Sequence, residues 1–181
     1  MQHHAEPPRQ RGFTLVELCI TVAILALLAG LALPSLMRLR EQQALRVRAD
    51  QLATDLYLAR SEAARLGESV FLRVSGKGAN ACYVIHTGKR NACDCSGRRA
   101  SCPAGVGQVL KAAWFPADQP VRISSNAETL EFQHRQGLVT QTGTLTLSLA
   151  HGAAIGQVVA ITGRVRTCAT GITLRGATRC A

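Results

Sequence analysis

The chain has 181 residues, 21 Lys+Arg against 11 Asp+Glu, and a formal net charge of +10. Eighteen of the cations are arginines and only seven residues are aromatic, which argues against an aromatic platform for stacked bases and leaves charge as the main means of recognition. Gly-x-Ser-x-Gly, Walker and His-Glu-x-x-His motifs are absent, and His86, His134 and His151 lie scattered, so the sequence reads as a non-enzyme with no cofactor and no metal.

In chain order, Met1–Gly12 comes first, with Arg9 and Arg11 and a single acid, Glu6. Phe13–Met37 follows as a 25-residue apolar run in which Glu17 is the only charge. A helix of that length spans roughly 37 Å at about 1.5 Å per residue, enough to cross a ~30 Å hydrocarbon layer. A carboxylate there costs about 2.5–3.5 kcal/mol on insertion scales, so Glu17 is read as functional. Arginines beside an apolar span are held on the cytoplasmic side, which puts the remainder of the chain outside the inner membrane. The run is too long for a secretory signal, and a charged helix, not a small-residue cleavage site, follows it.

Beyond Met37 the helix is expected to continue. Leu45, Ala49, Leu52, Leu56, Ala59, Ala63 and Leu66 recur at steps of four and three, one apolar stripe suited to packing on a sheet. Arg46, Arg48, Asp50, Asp55, Arg60 and Glu62 fall off that stripe and are expected to face water. Gly67 is the natural stop. The reading is one helix from about residue 14 to 66, kinked at Pro34, apolar all round over 13–37 and amphipathic over 38–66.

Residues 67–181 read as a β-rich domain. Strands are expected at 70–74, 82–85, 121–123, 129–132, 144–149 and 157–161, short and separated by Gly, Asn and Ser, which favours antiparallel meanders. Residues 87–108 keep no apolar period and read as a long surface loop pinned by disulfides.

Of the seven cysteines, Cys19 lies in the apolar run and behaves as a small apolar residue. Cys82, Cys93, Cys95, Cys102, Cys168 and Cys180 form an even set, compatible with up to three disulfides in an oxidising compartment and fifteen possible pairings. Cys168–Cys180 is the favoured pair, worth roughly 3 kcal/mol in the chain-entropy model. Zinc at Cys93-x-Cys95 with Cys82, Cys102 or His86 is the rival, and the one-residue spacing weighs against it.

Gly12, Phe13, Thr14, Leu15, Glu17 and Pro34 together resemble the class III signal of type IV pilins and pseudopilins. That resemblance implies that prepilin peptidase cuts after Gly12 and N-methylates Phe13, and that Glu17 meets the free amine of a neighbouring subunit, a charge pairing favoured in lipid. It further implies a pilin-like α+β fold, with the long helix packed on antiparallel sheets, and incorporation into a pilus with other pilins.

Three further segments are similar to the FimT/GspH branch of minor pilins: Leu56–Ala63 with Val70-Phe71-Leu72, Phe132 to Gly137 with Gly143–Leu147, and Gly163-Arg164-Val165-Arg166, which looks like the GRxR motif of FimT-type members. The cysteine-rich stretch 87–108 and the Cys168–Cys180 tail depart from the shared pattern. The branch implies non-specific DNA binding during natural transformation; the alternative is a GspH-like pseudopilin of type II secretion, or a pilus-priming subunit.

GRVR has a direct physical reading. Side chains two apart on a strand share a face, so Arg164 and Arg166 point one way while Val165 turns inward. Gly163 permits a turn that a side chain would hinder. Arg175 and Arg179, held near by a Cys168–Cys180 bridge, would widen the grip. With no recognition-helix pattern, the expected contact is to phosphate: log K should fall with log[salt] at a slope of roughly −3 to −4 for three or four arginines.

Overall fold

The computed structural model describes residues 12, 14–76, 78, 80–97, 99–174 and 176–180. Helix α1 covers Leu15–Leu66 and passes through Pro34 without a break. Thr14 starts it, its Oγ1 accepting the Glu17 N–H at 3.2 Å, and this cap satisfies one of the free donors of the first turn. Gly67, at φ +69°, ends it. The chain divides into two compact units, 1–39 and 40–181. In the first, α1 contains an 18-residue window of mean hydropathy 2.5, none of it buried, long and apolar enough to cross a membrane.

The second unit holds the rest of α1 and two sheets. The first sheet has the order β3-β2-β1-β5, from β1 (Val70–Ser75), β2 (Ala81–His86), β3 (Val109–Phe115) and β5 (Thr129–Phe132), all antiparallel. The second has the order β4-β6-β7-β8-β9, from β4 (Arg122–Ser125), β6 (Gly143–Ser148), β7 (Ala154–Val159), β8 (Val165–Thr170) and β9 (Thr178–Arg179). Its pairs are antiparallel except β8–β9, which is parallel. This is the pilin-like α+β arrangement: a long N-terminal helix on largely antiparallel sheets.

The stripe packs as its spacing implies from Leu45 to Ala63, but Leu66, in the last turn, is exposed and not part of the core. Leu45, Leu52, Leu56, Ala59 and Ala63 are buried in one cluster with Leu72, Ile85, Phe115 and Phe132 of the first sheet and Leu145, Leu147 and Ile155 of the second. Each such leucine contributes about 1.5–3 kcal/mol by leaving water. Gln157 adds a polar tie: buried, it donates from Nε2 to Ala49 O at 3.2 Å and accepts from Thr167 Oγ1 at 2.9 Å.

Four expectations need correction. Asp55 does not face water but is fully buried, receiving hydrogen bonds from Tyr83 Oη (2.7 Å) and Lys111 Nζ (2.6 Å). Strand β3 had no counterpart in the pattern, because both its faces are covered and its apolar residues do not alternate with polar ones. Strand β7 begins at Ala154 and ends at Val159, so Ala160 and Ile161 fall in a turn. Gly156, a residue that interrupts a strand pattern, falls inside it, and a Cβ there would lie 2.9 Å from Cys168 Sγ and 3.3 Å from Cys180 Sγ, so glycine sits beneath that disulfide.

The fourth correction concerns 87–108, which is more than a surface loop. Its Cys93 and Cys95 are fully buried and join Cys82 and Val84 in a second small core, against which Ala112 and Trp114 of β3 pack. Trp114 Nε1 donates to Cys95 O at 3.0 Å, and Asp94 pairs with Ser101 in a short antiparallel bridge. The insert thus covers the face of the first sheet that α1 leaves open.

His86 closes β2 and is fully buried, stacked on Phe71 with ring centroids 5.4 Å apart. Its Nδ1 donates to Thr87 O at 3.0 Å, which leaves Nε2 bare and without a partner. Burial, helped by the nearby Arg73 charge, holds its pKa below the usual histidine value, against the opposing pull of Thr87 O. A depressed folded pKa means that below pH ~6.5 the unfolded chain takes up a proton that the folded chain refuses, so stability drops on acidification, by at most about 1.4 kcal/mol per pH unit. Denaturation of the full chain in non-ionic detergent, followed by Trp114 fluorescence, should show a lower midpoint at pH 5 than at pH 7. His86→Leu should shrink that difference, and an unchanged difference rules out His86 as its source.

Candidate nucleic-acid interface

The hairpin joining β7 to β8 is built around Gly163. Its N–H donates to Ala160 O at 2.8 Å, and Ala160 N–H donates to Arg164 O at 3.0 Å, closing a tight turn over 160–164. Gly163 is buried at φ +73°, and a Cβ on it would stand 2.4 Å from Gly137 O. Any side chain here is excluded twice, by backbone angle and by space. A second bond, Val139 N–H to Ile161 O at 2.8 Å, ties this turn to the one over 133–138.

From that turn the chain enters β8 with Arg164 exposed, Val165 half-buried against the core, and Arg166 exposed. The two guanidinium stems leave one face about 6.6 Å apart along the strand. Arg166 pairs across to Val158, which in turn pairs with Thr144. That outer face continues through Thr146, Ser148, Ala154 and Thr170, but the Cys168–Cys180 disulfide lies over Gly156 next to Arg166, so the open part of the face is the end carrying Arg164, Arg166, Val158 and Thr144.

Charge is more segregated than the +10 total conveys. Glu131 is the last acidic side chain, and residues 132–181 contain five arginines and neither Asp nor Glu. No strand of the second sheet carries a carboxylate. Three arginines elsewhere are neutralised in pairs, Arg65 with Glu62 at 2.6 Å, Arg73 with Glu128 at 3.1 Å and Arg90 with Glu131 at 3.8 Å. Among the described residues, Arg164, Arg166 and Arg179 have no acidic partner. This signal was in the sequence, and counting charge along the chain instead of over the whole of it reveals it.

The remaining site residues are not all brought together. Arg179 is exposed on β9 and pairs with Ala169, so it lies about 10 Å along the strand from Arg166 and leaves the sheet on the opposite face. Arg175 and Phe13 lie outside the described residues, as does the leader up to Arg11. Gly12 is exposed just before the helix, and Glu17 is exposed in its first turn. Cys168–Cys180 is paired, while the insert is laced by Cys82–Cys95 and Cys93–Cys102. Those bridges leave no thiolate at Cys93-x-Cys95 for zinc. Among the described residues no cluster of His, Cys, Asp and Glu has the makings of a metal site.

Comparison with known proteins agrees with this architecture. A prokaryotic N-terminal methylation motif matches residues 7–33, and the family model described as type II transport protein GspH matches 48–165, well over half of the chain. A search of curated proteins finds no match. Among solved structures, the type IV minor pilin FimU of Pseudomonas aeruginosa PAO1 is similar in fold, with a TM-score of 0.52 at 17% identity, over 70% of this chain and 89% of that one. A second crystal form of FimU aligns over 68% and 91% at 17% identity, with a TM-score of 0.49. With its methylation motif, its long apolar helix and its two-sheet head, the chain belongs to the GspH family of pilin-like proteins.

Proposed function

We propose that this chain is a minor pilin whose head binds DNA non-specifically through the outer face of the second sheet, as part of DNA uptake in natural transformation. Prepilin peptidase processes it between Gly12 and Phe13, its helix anchors it by a single pass in the inner membrane with the head in the periplasm, and Glu17 pairs with a neighbouring subunit's amine in the pilus. The observation that carries the DNA reading is the Arg164–Arg166 pair, exposed, on one face and without acidic partners, on a sheet whose strands hold no carboxylate. Guanidinium forks suit phosphate, and contact to the nucleic-acid backbone needs no base readout.

The geometry refines the salt dependence. Arg164 and Arg166 act together while Arg179 faces away, so the pair accounts for two phosphates and about −2 of the log–log slope. Titrating a short duplex with the full chain in non-ionic detergent, at ~50 and ~200 mM salt, tests this. Arg164→Ala/Arg166→Ala should weaken binding at least about tenfold at the lower salt and flatten the slope by about 2. A double variant that binds like wild type, with the same slope, removes the proposal.

One observation favours a second reading: the family model that spans 48–165 is that of a type II transport protein. In that role the head is a structural subunit of a secretion pseudopilus and its positive face is incidental. A wild-type chain that shows no salt-dependent affinity for duplex DNA, encoded beside secretion genes, decides for it.

A further inference from the structure

Arg60, on α1, has an unusual setting for a residue expected to face water. It is partly buried and has no acidic partner among the described residues. Its guanidinium lies against two glycines of separate turns. A Cβ on Gly137 would fall 2.9 Å from Nε and 3.1 Å from Nη2, and a Cβ on Gly163 would fall 3.2 Å from Nε. Its Nη1 donates to Gly163 O at the long distance of 3.5 Å. Both glycines have positive φ, +61° and +73°. Two turns have therefore each left out a side chain at the spot where this one group packs.

From this geometry we propose that Arg60 is a positioning residue for the phosphate-contacting pair: by filling the space between Gly137 and Gly163 it locks the 160–164 turn, and so sets the direction in which Arg164 and Arg166 leave the sheet. The requirement is for arginine specifically. A planar guanidinium stacks flat on two peptide segments and donates sideways from the same plane, whereas a lysine ammonium keeps the charge but is compact and cannot fill the gap. Gly163 O, the acceptor, belongs to the peptide unit that carries the Arg164 nitrogen, so a displacement there passes straight into β8. The binding arm of the test rests on the reading of Arg164 and Arg166 as phosphate contacts; the structural arm does not.

The experiment compares wild type, Arg60→Met and Arg60→Lys as full chains in non-ionic detergent. The first readout is amide hydrogen exchange. In Arg60→Met, exchange over 137–139 and 160–165 should speed up about tenfold or more, while β2 (81–86) stays protected, because only local opening is released. The second readout is duplex titration. Affinity should fall about tenfold and the salt slope should flatten by about 1 or more, as the two arginines cease to engage together. Arg60→Lys should resemble Arg60→Met in both. Unchanged exchange in Arg60→Met, or full restoration by Arg60→Lys, overturns the positioning role. If wild type itself fails to bind duplex, the DNA reading falls, and the exchange arm still decides whether Arg60 holds the turn.

Discussion

Replacing Asp55 by alanine should lower the unfolding free energy by about 3–5 kcal/mol, read as a shift of the denaturation midpoint of the full chain in non-ionic detergent. Trp114, the only tryptophan, sits half-buried in the second small core and reports the head without a label. The size follows from what alanine would leave behind. Tyr83 Oη and Lys111 Nζ both donate to the Asp55 carboxylate, one to each oxygen. Tyr83 is itself fully enclosed in the core, and burial, then Asp55, push its phenol pKa well above the ordinary range. Removing the carboxylate orphans a buried hydroxyl and strips an ammonium of its counter-charge, and both costs fall on the folded state alone.

The same triad joins three elements, α1 through Asp55, β2 through Tyr83 and β3 through Lys111, so it fixes the angular position of the helix on the sheet, which leucines alone leave adjustable. Tyr83→Phe removes one bond and keeps the ion pair, so it should cost only about 1–2 kcal/mol. A midpoint for Asp55→Ala within about 1 kcal/mol of wild type would mean that the helix is held by apolar packing and the triad is incidental.

Asp55 also shows where reading the sequence went astray. Its spacing is as good as that of its neighbours, since 52, 55 and 59 are three and four apart, the same steps that define the buried stripe. Its charge was taken to outweigh its position. The spacing was right, and the compensating partners lay 28 and 56 residues away, where a local pattern does not reach. Arg60 was misplaced for the same reason: its partners are two glycines in distant turns, and glycine announces a turn without revealing what packs on it. Strand β3 was hidden by the insert, because a strand covered on both faces loses the alternation that marks one. By contrast, the helix, its amphipathic half, the stop at Gly67 and the N-terminal signal were legible, since each depends on residues close together in the chain. The two-sheet division was not, because β5 returns to pair with β1 while β4 and β6 begin a second sheet.

Gly88→Ala is the other substitution expected to be severe, at about 3 kcal/mol or more, and it tests how the cysteine-rich insert is mounted. The insert leaves β2 and returns to β3 through a narrow neck. Thr87 N–H donates to Gln108 O at 3.0 Å, and Gln108 N–H donates back to Thr87 Oγ1 at 3.3 Å. Gly88 and Gly107 face each other just above that rung. A Cβ on Gly88 would lie 1.9 Å from Val106 O and 2.6 Å from Gly107 Cα, and a Cβ on Gly107 would lie 2.2 Å from Thr87 O. These obstacles are backbone atoms, so no rotamer change relieves them, and Gly88 also sits at φ +92°. The neck must therefore open, taking with it the floor on which Cys93, Cys95 and Trp114 pack. Gly97, within the same insert, meets nothing within 4 Å and lies outside the positive-φ set, so Gly97→Ala should change stability by no more than about 0.5 kcal/mol. Both variants can be followed by the midpoint and emission maximum of Trp114, with the Gly88 variant shifted to the red as its indole gains water. Equal midpoints for the two alanines would mean that the disulfides alone hold the insert, and that the close crossing of its two chains contributes nothing to the fold.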